Sequence, residues 1–223
     1  MNPPAIGSAA AIVPAAGAST RMGRPKLLLP WGQSTVLEST LAALREGGVP
    51  TIVVVLAPLG PLAGWLPPPG VRTAVNPEPA SGMLSSVLVG LAALAAAGGT
   101  SARVEGASAL SGEHVDAPAS APDPLLVCPA DLPALRASTI AALLAAYRER
   151  GGVVVPRHGR RRGHPLLIAP RWQARLPEIA HHQTGLRRIL ELAAGAVHEV
   201  PVDDPGSIRD VDTPEDYATL PQT

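Results

Sequence analysis

The 223-residue chain has no phenylalanine and only three tryptophans and two tyrosines. It offers little aromatic surface on which unpaired bases would stack, which argues against a single-strand nucleic-acid binder and requires an aliphatic core. Charge of either sign is sparse, at 16% of residues, and 18 Lys plus Arg balance 18 Asp plus Glu. A formal net charge of zero lacks the cationic excess of a general nucleic-acid or anionic-membrane binder. The single cysteine, Cys128, rules out an internal disulfide framework and a cysteine-based zinc cage, and suits a reducing compartment. No apolar run reaches spanning length without Pro, Gly or a charge, and the apolar N-terminus lacks the basic start of a secretion signal. The expectation is a cytoplasmic protein with neither nucleic acid nor membrane as partner.

Lysine is scarcer still. The chain holds 17 arginines and one lysine, Lys26. A compact, flexible ammonium kept at one position, where arginine serves everywhere else, suggests a task that a planar guanidinium does not perform.

Apolar runs alternate with helical patterns along most of the length. Strands are expected at 10–15, 51–57, 71–76, 125–129, 153–156, 165–169 and 196–202, and helices at 34–46, 83–97, 138–150 and 184–193. An Asp-rich turn at 210–220 leads into a last helix. The β-branched run Thr51–Ala57 suits a strand covered on both faces. The alternation predicts an α/β sandwich with a mainly parallel sheet, whose ligands collect beyond the carboxyl ends of the strands. Residues 98–124 are too poor in large apolar groups to pack and are expected to form a mobile insertion within a single domain spanning 1–223.

The first strand runs directly into PAAGASTRMGRPKLLLP. Ala15, Ala16, Gly17 and Ala18 let backbone N–H groups approach a polyphosphate, and Arg21 and Lys26 add positive charge. Neither the P-loop pattern nor G-x-G-x-x-G is present.

This loop, read as AAGASTRMGRPKLLLPWG, closely resembles the A-A-G-x-S-x-R-M-G-x-x-K-x-L-L-P signature of MobA-like nucleotidyltransferases, the molybdenum cofactor cytidylyltransferases above all. NPEPASGMLSSVLVGL, PADLP, RRRGHPLLI and DVDTPEDY resemble further segments of the family. The resemblance implies a three-layer α/β/α Rossmann-like nucleotidyltransferase fold. It implies a triphosphate cradle of Ala15, Ala16, Gly17, Ser19, Arg21 and Lys26, with Gly82, Met83 and Ser86 near the base and ribose. It implies catalysis by Lys26, Arg21 and Asp131, a Mg²⁺ ion on Asp131 and Asp212, and acceptor contacts at Arg162, Gly163 and His164. Ala16, where guanylyl relatives usually carry glycine, favours CTP.

Magnesium takes hard oxygen ligands and one or two protein carboxylates, which suits two aspartates standing after expected strands. Asp212 also suits a helix cap, and Asp210 competes with it as second ligand. Asp216 reads as a solvated charge of the first helical turn. The activity implied is transfer of a nucleoside monophosphate, CMP from CTP, to a phosphorylated acceptor with release of pyrophosphate. Molybdopterin leads as acceptor, with a delivery contact to a molybdoenzyme. A sugar phosphate or other phosphorylated metabolite is the alternative acceptor, and a non-catalytic nucleotide or molybdopterin carrier the alternative function.

Overall fold

The computed structural model describes residues 8–17, 19–98, 121–180 and 182–220. Most of the insertion expected at 98–124 therefore lies outside the described residues. The chain forms β1 (Ala10–Pro14), β2 (Pro30–Trp31), β3 (Ser34–Thr35), α1 (Val36–Glu46), β4 (Thr51–Leu56), β5 (Val71–Val75) and α2 (Met83–Gly98). It continues through β6 (Leu125–Val127), α3 (Ala137–Arg150), β7 (Val153–His158), β8 (Arg161–Arg162), β9 (Leu166–Ile168), α4 (Pro170–Gln173), α5 (Arg188–Leu192), β10 (Val197–Pro201) and α6 (Pro214–Thr219).

The main sheet has the order β10-β7-β9-β6-β1-β4-β5, with β8 paired to β7. The pairs β1–β4, β1–β6, β4–β5 and β7–β10 are parallel, and β9 runs antiparallel between β6 and β7. Period-two alternation along each strand builds two cores. Ala11, Val13, Ile52, Val54, Leu126 and Leu167 face α1 and α3, whereas Ile12, Val53, Val55, Leu125, Val127 and Ile168 face α2 and α5. These are the three layers of an α/β/α sandwich. No helix among the described residues is long and apolar enough to cross a membrane.

Two differences from the sequence expectation have local causes. The basic turn read as 157–163 is a hairpin in which Arg157 pairs with Arg162 and His158 with Arg161, and Gly159 turns the chain at φ +58°. The helix read as 184–193 begins as a 3-10 turn, Gly185–Arg187, because Gly185 sits at φ +53°, and becomes α-helical only over α5.

Strand β1 lies between β4 and β6, so the chain leaves it toward one edge and returns on its other side. The loops after β1 and β6 thus flank the crevice where the strand order reverses, a place that favours ligands. Helix α2 closes this crevice because Gly90 lets it pack directly on β1. A Cβ there would stand 2.6 Å from Ile12 Cγ2, well inside contact distance.

Candidate active site

The loop after β1 is anchored by its apolar members. Met22, Leu27 and Leu29 are buried, so the intervening polar residues are held at the crevice rather than in the core. Ser19 sits at φ +51°, a left-handed conformation that non-glycine residues seldom adopt, and its carbonyl accepts from Met22 N–H at 3.1 Å. Lys26 lies at the start of a 3-10 turn, and its Nζ donates to Asp131 Oδ2 at 2.5 Å and to Asp212 Oδ1 at 2.7 Å. Arg21 Nη2 meets the other oxygen of Asp212 at 2.8 Å.

Each aspartate is fixed by its own backbone. Asp131 follows β6, and the preceding Ala130 carbonyl accepts from the buried Thr40 hydroxyl of α1 at 3.2 Å. The Asp131 carbonyl accepts from Val211 N–H at 3.0 Å. At α6, the cap is Thr213: its hydroxyl accepts from Asp216 N–H, while Asp216 Oδ2 accepts from the N–H groups of Thr213 and Asp212. This reciprocal capping box leaves the Asp212 carboxylate free to face Lys26. Asp216 is therefore not a merely solvated charge, since three hydrogen bonds from residues 212 and 213 converge on its Oδ2.

Burial opposes the charge on Lys26, but the fields and hydrogen bonds of Asp131 and Asp212 outweigh it and hold the ammonium above the usual lysine range. Burial pushes the Asp131 carboxyl upward, and the Lys26 charge pulls it back. Asp131, Asp210 and Asp212 each offer a carboxylate oxygen within 4.8 Å of the others. This all-oxygen donor set, within reach of one ion, fits a hard divalent cation.

A cavity of about 240 Å³ opens beside this charge cluster, lined by Ala15, Ala16, Gly17, Ser19, Lys26, Gly82, Met83, Ser86 and Asp131. Arg21 is absent from the lining and reaches the cluster through Asp212. Asn76, which the sequence reading did not single out, organises one wall. Almost fully buried, it donates from Nδ2 to the hydroxyls of Ser85 and Ser86, at 2.8 and 3.0 Å, and accepts from Glu78 N–H. The available signal was an asparagine just past a strand and ahead of a proline, where side chains bond the following backbone.

A larger cavity, about 770 Å³, adjoins the first at Gly82 and Met83 and is lined on one side by Arg162, Gly163 and His164. Its far wall, also missed from sequence, comes from residues 182–191, including His182, Thr184 and Arg187. Gly163 is required by packing, because a Cβ there would lie 2.3 Å from the Ser207 carbonyl oxygen. Arg162 Nε pairs with Glu199 at 2.7 Å. Arg160 and Arg161 are exposed and do not line this cavity. Burial pulls the His164 imidazole below its usual range against the opposing fields of Asp131 and Asp210, and its buried Nδ1 has no hydrogen-bond partner among the described residues. Cys128 is fully buried and its thiol is pushed far up by that burial, which removes it as a nucleophile.

The arrangement resembles known proteins over nearly its whole length. The chain is 28% identical over 215 residues to the nicotine blue oxidoreductase of Paenarthrobacter nicotinovorans, covering 92% of this chain and 93% of that one. It is 24% identical over 209 residues to the molybdenum cofactor cytidylyltransferase of Escherichia coli (strain K12), covering 93% of each. A crystal structure of a Mycobacterium tuberculosis H37Rv protein in complex with manganese shares the fold, with a TM-score of 0.66 at 22% identity over 96% of this chain and 97% of that one. Residues 11–200 match the MobA-like NTP transferase domain, a span running from the first core strand to the last, so the chain belongs to that family and is a nucleotidyltransferase.

Proposed function

We propose that the protein is a Mg²⁺-dependent cytidylyltransferase that transfers CMP from CTP to the phosphate of an acceptor, with molybdopterin as the leading acceptor. The observation that carries this reading is the meeting of Lys26, Asp131 and Asp212 beside a cavity walled by small residues. The sequence pattern of the loop supports CTP, and the 24% identical cytidylyltransferase supports the acceptor class.

Lys26 binds the α-phosphate oxygens, on which charge shifts during in-line displacement, and Arg21 with the loop N–H groups holds the β and γ phosphates. An acceptor phosphate oxygen attacks the α-phosphorus, the bond to the bridging oxygen breaks, and pyrophosphate departs with the electron pair. A phosphate monoester is already anionic near neutral pH, so no strong general base is needed. Asp131 and Asp212 hold the magnesium ion, with Asp210 beside them. When bound, the ion supplies Lewis-acid stabilisation of phosphate charge. Gly82, Met83 and Ser86 receive the nucleoside, and the adjoining cavity with His164, Arg162 and Gly163 receives the acceptor. On the same reading the product passes to a molybdoenzyme in the cytoplasm.

Pyrophosphate release measured over the four triphosphates, with and without molybdopterin and Mg²⁺, tests this. The expected result is release with CTP, molybdopterin and Mg²⁺ together. Triphosphate binding without pyrophosphate overturns the enzyme in favour of a carrier. Release with a sugar phosphate in place of molybdopterin overturns the acceptor, and turnover of nicotine blue without pyrophosphate overturns the reaction.

A further inference from the structure

The charged cluster is supplied by segments from opposite ends of the chain. Residues 19–29 carry Arg21 and Lys26, and the approach to α6 carries Asp212. Ion pairs between partly exposed groups hold such segments together only weakly. The Arg21 side chain is 71% exposed, so its pair with Asp212 does not fix the loop. The largely buried Lys26–Asp212 pair joins the two segments at one point, and a second set of contacts adds to it.

Tyr217, on α6, touches the Lys26 loop on both sides of the lysine. The Arg24 guanidinium carbon lies 5.7 Å over the Tyr217 ring, two residues before Lys26. Beyond the lysine, the Tyr217 hydroxyl donates to the Pro30 carbonyl, and the ring meets Trp31 edge to face, with centroids 6.2 Å apart at 61°. Trp31 is buried in the same apolar core as Leu27 and Leu29, so this contact ties Tyr217 to the core that anchors the loop. On its other side Tyr217 N–H donates to the Thr213 carbonyl, within the capped turn that fixes the Asp212 backbone. One side chain thus joins the segment bearing the ammonium to the segment bearing its carboxylate.

We propose that Tyr217 is a positioning residue for nucleotidyl transfer, a clamp that holds Lys26 and Arg21 in register with Asp212 and Asp131. It touches none of the reacting atoms. Its effect on rate follows because small displacements of an electrostatic group from its productive place are costly, whereas the walls that bind the nucleoside lie elsewhere, on α2. The kinetic part of this inference rests on the role given to Lys26 above. The geometric part does not.

The test uses the full chain with Tyr217→Ala, Tyr217→Phe and Arg24→Ala, each made alone and together with Lys26→Ala, read by crystal structure and by pyrophosphate release. In Tyr217→Ala residues 19–29 are expected to shift and Lys26 Nζ to leave hydrogen-bond distance of Asp131 or Asp212. Its kcat should fall about tenfold to a hundredfold. The KM for the triphosphate should rise by a smaller factor than kcat falls, because Arg21 on the same segment contacts the β and γ phosphates while the nucleoside walls stay in place. Tyr217→Phe keeps the ring contacts and should recover most of the rate. In the Lys26→Ala background Tyr217→Ala should cost several-fold less than in the wild type, the remainder coming through Arg21, a coupling that a general loss of stability does not produce.

An equal loss with and without Lys26, or a loop that stays in place, overturns the clamp. Should Tyr217→Ala fail to fold, the exposed Arg24→Ala carries the test: a smaller loss that shrinks with Lys26→Ala supports the clamp, and no loss overturns it. A wild-type protein that releases no pyrophosphate overturns the functional reading alone, and the position of residues 19–29 in the Tyr217 variants still decides the clamp.

Discussion

The backbone N–H of Val211 donates to the carbonyl oxygen of Asp131 at 3.0 Å, tying the segment that carries Asp212 to the loop after β6. The bond is between main-chain groups, so it holds the two acidic segments together whatever the charge on their side chains. Donors and charges fixed in this way need little rearrangement when a reaction begins, which is the condition for strong electrostatic stabilisation of a transition state.

Lys26→Ala should lower kcat about a hundredfold or more, corresponding to roughly 2.7–4 kcal/mol of transition-state stabilisation. Triphosphate binding measured by titration calorimetry should change far less, because the loop N–H groups and α2 remain. Unchanged turnover removes the proposed role of the ammonium.

Asp131→Asn keeps the shape of the side chain and removes its charge. Mg²⁺-dependent pyrophosphate release should be lost while circular dichroism shows a folded protein. Chelation of the wild type should have the same effect, reversed by added Mg²⁺. Full activity in the variant would leave this residue only its backbone bond to Val211.

Asn76→Ala strips a hydrogen-bond partner from the buried Ser86 hydroxyl, and others from the more exposed Ser85 and Glu78. Leaving a buried group unpaired costs about 1–3 kcal/mol, a loss that urea denaturation will register as a lower midpoint at constant m-value. The KM for the triphosphate should also rise, since Ser86 lines the smaller cavity. Wild-type stability together with wild-type KM would show that Asn76 organises nothing.

Gly90→Ala drives a methyl group into Ile12. Overpacking of this kind costs about 1–3 kcal/mol. Ile12→Ala should relieve part of it, so the two changes will be non-additive in thermal melts. Full additivity would mean that α2 moves away freely instead of being seated on β1.

The order of strands and helices was legible because it follows from patterns a few residues long. TIVVVL reads as a covered strand from its β-branched run alone, and STVLESTLAALRE reads as a helix from its spacing and its Ser/Thr start. The loop after β1 stood out as a candidate phosphate cradle for a similar reason, since small residues, an arginine and the sole lysine fall within one short stretch. The sequence left three things open. Asp212 as ligand or cap was undecided until Thr213 proved to form the cap with Asp216. Asn76 gave only a turn signal, and the wall formed by residues 182–191 gave none, because their partners come from distant elements.

By itself, then, the amino-acid order determined which segments become strands, which faces of them are apolar, and which short stretches concentrate charge and small residues. The tertiary structure alone decided that Lys26 meets Asp131, 105 residues away, and Asp212, 186 residues away. Periodicity is a property of neighbours along the chain, whereas these meetings depend on crossovers that set β1 between β4 and β6 and on a last helix that folds back over the first loop.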